Sequence, residues 1–173
     1  MLDDELLDLV DSEDKVIGTV YRAKYGGPDE GYLRSTGVLI INRKGEFWIP
    51  KRHSNKSFAP DSLDFSADEH VISGENYIDA AIRGLSEELN IAVNKSKIKL
   101  IGITKPSAEI PYFHQLYVLK KNKTPNYNRD DYQSSEWLTK EKLISKIDNK
   151  VKCKPTLTRS RDLIVNINTE EYR

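Results

Sequence analysis

The stretch GENYIDAAIRGLSEELNI, residues 74–91, decides how the rest of the chain is read. Ile78, Ala81, Ile82, Leu85 and Leu89 recur at intervals of three and four, which gathers them on one face of a helix from Tyr77 to Leu89. Asn76 is placed to cap its start, with Asp79 three residues on, and Asn90 suits the left-handed residue that closes a helix. The opposite face presents Arg83, Gly84, Glu87 and Glu88, because residues three and four apart are neighbours on a helix surface. Adjacent glutamates on a rigid helix offer oxygen ligands to a hard cation, and an arginine one turn away holds such a carboxylate in one rotamer. Two glutamates on a polar face are more often plain solvated charge, so the spacing alone leaves both readings open.

Working outward, TGVLIINRKGEFWIPKR (36–52) reads as a hairpin turning at NRKG, and LLDLVDSEDKVIGTVYR (6–22) as two short strands around a polar turn at 11–14. Of Phe47 and Trp48, alternation on a strand sends one inward. NKSFAPDSLDFS (55–66) is loop-like, and DEH (68–70) continues it as polar loop. Beyond the helix, KIKLIGIT (97–104) and YFHQLYVLK (112–120) read as strands, with His114 on the second a structural or partly exposed residue rather than a catalyst. EWLTKEKLISKI (136–147) gives a second helix capped by Thr139, and KPTLTRSRDLIVNI (154–167) a third. Strands on both sides of a central helix, with more helix at the end, predict an α+β fold or a mixed α/β sandwich, and the length suggests one domain, residues 1–173.

Composition narrows the function. Lysine plus arginine number 27 against 27 aspartates and glutamates, so no net charge draws the chain to nucleic acid or to a membrane surface. The sole cysteine, Cys153, excludes an internal disulfide and any multi-cysteine metal site, and fits a reducing compartment. The first ten residues are acidic where a secretory signal is basic, and no apolar run approaches membrane-spanning length. A cytoplasmic location is expected; the oligomeric state is open.

Around the helix, the chain resembles the Nudix hydrolases. Their signature is Gly, five residues, Glu, seven residues, then Arg-Glu-aliphatic-any-Glu-Glu-any-Gly-aliphatic. Anchored on Arg83, it places Glu75, Leu85, Glu87, Glu88 and Ile91 on matching positions. Three positions depart: Glu69 stands for the first glycine, Gly84 for the glutamate after the arginine, and Asn90 for the last glycine. The strands at 7–22 and 45–52 and the segment EWLTKEKL resemble the branch related to isopentenyl diphosphate isomerase.

The resemblance implies a Nudix fold, a mixed β-sheet sandwiched between helices, acting on a small-molecule diphosphate with Mg2+ or Mn2+ and an activated water. It implies that Glu87 and Glu88 hold the metal, with Glu75 and Arg83 orienting or supporting them at the catalytic centre. Lys51 and Arg52, at the end of a predicted strand, are candidate phosphate ligands, or else ordinary solvated ends of a hairpin. Gly84 removes a family carboxylate, so weak or altered hydrolysis of a nucleoside diphosphate derivative is one expectation and a lapsed module that binds a nucleotide or partner is the other. Asp68, Glu69 and Glu136 are the acids that would compensate, and Gly84→Glu is expected to rebuild the set. The isomerase reaction is disfavoured: that chemistry needs a cysteine near the middle of the domain and histidines in its first half, whereas the chain has Cys153 and no histidine before His53.

Overall fold

The structure, a computed structural model, describes residues 4–173. Its centre is a six-stranded mixed sheet formed by β3 (Leu33–Ile41), β4 (Glu46–Arg52), β5 (Ala67–His70), β6 (Ile98–Thr104), β7 (Tyr112–Lys120) and β8 (Tyr132–Thr139). The strand order is β6-β7-β3-β4-β8, with β5 attached to β3. β3 and β7 run parallel over their whole length, while the β4–β8 and β6–β7 pairs are antiparallel. A separate antiparallel hairpin, β1 (Leu6–Val10) and β2 (Val16–Tyr21), turns where the polar run at 11–14 predicted.

Strand β3 divides its length between two neighbours. Ile40 and Ile41 pair with β4, whereas Ser35 to Val38 pair with β5. Where β4 and β5 diverge, the Ser66 hydroxyl donates to the Trp48 carbonyl at 2.7 Å and accepts from the Ile40 N–H at 2.8 Å. One side chain thus serves two buried backbone groups that no strand reaches, which a buried peptide requires.

The sheet is covered on both faces. On one side, α1 (Tyr77–Leu89) lays Ala81, Leu85 and Leu89 against Val38, Ile40 and Trp48. On the other, α2 (Lys140–Asp148), α3 (Pro155–Arg159) and α4 (Arg161–Val165) bring Leu143, Ile147, Leu157 and Ile164 onto Leu39, Phe47 and Ile49. Double coverage explains why Phe47 and Trp48 are both fully buried, each facing its own core, where an alternating half-exposed strand would bury one. The predicted fold class holds: a mixed sheet between helices.

Helix α1 spans the predicted residues, with the Asn76 side chain accepting from the Asp79 N–H and Asn90 left-handed at φ 54°. Three other expectations are corrected. Residues 68–70 lie in strand β5, and residues 136–138 belong to strand β8, with the second helix starting only after Thr139. The third helix is two short ones meeting at Ser160.

Candidate active site

Helix α1 sits directly over β5, and the guanidinium of Arg83 is the junction between them. It meets Glu75 through two bonds, Nε to Oε1 at 3.2 Å and Nη2 to Oε2 at 3.1 Å. Nη2 also donates to the His70 carbonyl at 2.7 Å, while Nη1 reaches Glu69 at 3.1 Å and Glu87 at 3.5 Å. One arginine thus ties the loop before the helix, the strand beneath it and the next helical turn into a single geometry.

Glu88, one residue beyond Glu87, turns inward instead. Its Oε2 accepts from the Tyr132 hydroxyl at 2.9 Å and from the Asp68 N–H at 3.3 Å, so β8 and β5 both anchor it. Burial, followed by the charges of Glu69 and Asp64, holds its carboxyl well above the usual range. Burial likewise pushes Glu69 up to about 7, against the pull of Arg83.

A cleft of about 710 Å³ opens beside them. Asp68, Glu69 and Glu88 line it together with Arg22, Arg52, Lys56 and Lys154. Lys154 is held between Asp68 at 3.1 Å and Asp64 at 3.5 Å. Burial alone would lower its pKa, but those two carboxylates lift it above the ordinary lysine value, so it stays cationic. Arg52 bonds Asp64 at 2.8 Å and turns its other nitrogens to the Phe58 carbonyl. Asp64, wholly buried, is pushed up by burial and pulled down by Lys154 and Arg52. Phe58 and Tyr112 add aromatic surface to the rim.

The expected site residues are therefore brought together only in part. Glu88 and Arg52 face the cleft. Glu75 and Arg83 support its wall through the bonds described, whereas Glu87, expected to hold the metal, is absent from the cleft lining: its side chain is 59% exposed and reaches only Arg83 at 3.5 Å. Lys51 lies apart from the lining residues and approaches Asp61 at 3.8 Å. Strand alternation sends it to the opposite face from Arg52, and a register shift between the two sharpens the divergence. Glu136 pairs with Lys146 at 3.1 Å on exposed β8, away from the cleft. Sequence reasoning missed Lys154, which lies far from the helix along the chain and carries no local signal beyond preceding a proline.

Among the described residues, no three acidic, histidine or cysteine side chains converge as a ready-made metal cage. The donor set nevertheless suits a magnesium-type ion. Such ions keep several waters and take one or two carboxylates together with substrate phosphate oxygens. Oε1 of Glu69 and of Glu88 accept no hydrogen bond from the described residues, and both side chains line the cleft.

The NUDIX domain family matches residues 31–159. Over 83% of its length and 86% of the relative's, the chain is 37% identical to an uncharacterized Nudix hydrolase of Nostoc. It is 27% identical to an isopentenyl-diphosphate Delta-isomerase of Photorhabdus laumondii over 84% of each chain. A crystal structure of a Deinococcus radiodurans protein superimposes with a TM-score of 0.80 at 31% identity, covering 95% of this chain and 99% of that one.

Proposed function

The chain belongs to the Nudix family, and from that premise we propose that it is a metal-dependent hydrolase of a diphosphate-linked small molecule, a nucleoside diphosphate derivative in the best-supported case. One observation carries the reading: carboxylates and cations meet in one cleft, Glu88 beside Arg52 and Lys154. Arg52 and Lys154 are already fixed by Asp64 and Asp68, so they receive phosphate oxygens with little loss of side-chain freedom. Glu88, anchored by Tyr132 and the Asp68 N–H, would offer its free oxygen to the ion. Bound Mg2+ or Mn2+ would neutralise charge developing on the diphosphate and acidify a water. Phe58, 57% exposed at the rim, offers a face on which a nucleobase stacks.

The isomerase relative does not redirect this reading. Cys153, the sole cysteine, is absent from the cleft lining, and burial pushes its thiol up to about 11. A thiol so disfavoured as thiolate is a poor acid–base partner at neutral pH.

The test is a panel of nucleoside diphosphates, nucleotide sugars and dinucleotide polyphosphates, incubated with Mg2+ or Mn2+ and scored for phosphate or nucleotide release. Release from at least one class, abolished by a chelator, is the expected result. No release from any class with either ion, at enzyme concentrations comparable to substrate, would overturn the reading.

A further inference from the structure

Two of the three departures from the Nudix signature are complementary. An acid stands at 69 where the signature has glycine, and glycine stands at 84 where it has an acid. In the folded chain these positions touch. A Cβ built on Gly84 would lie 2.5 Å from Cγ of Glu69, 3.5 Å from its Cβ and 3.6 Å from its Cδ. The Glu69 stem therefore crosses the bare backbone of α1 and fills the volume that a side chain at 84 would need. The two Cβ positions would sit at an ordinary contact distance, so the conflict is with the Glu69 stem, which would have to move before a side chain could stand at 84.

The direction of that side chain is set as well. Arg83 Nη1 donates to Oε2 of Glu69 at 3.1 Å and to Oε2 of Glu87 at 3.5 Å, so one nitrogen holds both carboxylates side by side. The other oxygen of Glu69 has no partner among the described residues, and the residue lines the same cleft as Glu88. We infer that Glu69 replaces the missing helical carboxylate: the acid has moved from α1 to β5, and Glu69 and Glu88 are the pair of carboxylates in the cleft that faces the divalent ion. The inference rests on the hydrolase reading of this cleft and deepens it. The signature is transposed here, and Gly84 marks the place that makes room for Glu69. It also replaces the expectation that Gly84→Glu alone rebuilds the acid set, because the added side chain meets Glu69.

Titration of the whole protein with Mn2+ alone, followed by calorimetry and by the metal-induced rise in melting temperature, tests the exchange. Glu69→Gln keeps the shape and should weaken Mn2+ about tenfold or more. Gly84→Glu should lower the melting temperature of the metal-free protein, and the double variant Glu69→Gly with Gly84→Glu should recover both the melting temperature and the Mn2+ response. Parental Mn2+ affinity in Glu69→Gln, with affinity lost in Glu88→Gln, would overturn the transposition and leave the hydrolase site standing. Parental affinity in both variants, or no Mn2+ response in the parent, would overturn the transposition and the site together. A double variant that folds and binds Mn2+ no better than Glu69→Gln would also overturn it.

Discussion

Arg83 and Glu75 are joined by two parallel N–H···O bonds across the turn that opens α1. The same guanidinium also serves Glu69, Glu87 and the His70 carbonyl, and its side chain is only 22% exposed. Arg83→Ala would leave two partly buried carboxylates facing each other with no counter-charge. Loss of about 3 kcal/mol of stability is expected, read from the urea midpoint at neutral pH. Arg83→Lys should recover less than half of that, because an ammonium cannot reproduce the planar fork. Equal stability of the lysine variant and the parent would show that only charge matters here.

A second close approach lies in the core. Gly37 sits on β3 with no room above it: a Cβ there would lie 2.7 Å from Nε2 of His114 and 3.0 Å from Cγ of Phe65. The two rings are stacked with centroids 5.0 Å apart and cannot retreat separately. Gly37→Ala should destabilise the protein by about 1–3 kcal/mol without altering metal affinity, since overpacking forces buried groups off their preferred positions. Unchanged stability would mean that the rings shift freely.

His114 itself gives a pH signature. It is fully buried, its Nδ1 shares a hydrogen bond with the Ser35 hydroxyl at 2.9 Å, and burial, then Arg159 and Lys154, lowers its pKa to about 3 against a weaker opposing pull from Asp64. The unfolded chain binds a proton at this residue near pH 6.5, the folded chain only near 3. Unfolding therefore takes up a proton throughout that window, and stability falls as the pH falls. The slope from this residue approaches about 1.4 kcal/mol per pH unit. Glu69 and Glu88, shifted upward, act in the opposite sense, so the difference between parent and His114→Gln is the quantity to measure. The variant should lose less stability between pH 6.5 and 4 than the parent does; parallel curves would show that His114 is protonated in the folded state.

Local signals account for what was legible beforehand. Helix α1 could be read residue for residue because its period, its Asn76 cap and its Asn90 terminus all lie within its own segment. Strand β5 was hidden because ADEH carries three polar side chains that reach Lys154, Arg83 and Glu5 across the fold, a pattern that looks like solvated loop. β8 was hidden by the exposed polar face of an edge strand, whose alternate residues include Ser134 and Glu136. The exchange between positions 69 and 84 did leave a trace, an acid gained and an acid lost within one motif. Only the contact between strand and helix turns that coincidence into a physical constraint.

The central claim is that Glu88 faces the ion on which diphosphate cleavage depends. Its direct measurement is the steady-state rate of hydrolysis by Glu88→Gln and by the parent, with the substrate found in the panel and matched, saturating Mg2+. Glutamine keeps an oxygen for the Tyr132 hydroxyl and removes the charge that a hard cation needs. A rate lower by about 10–100-fold or more is predicted. Undiminished turnover would contradict the account and move the ion elsewhere.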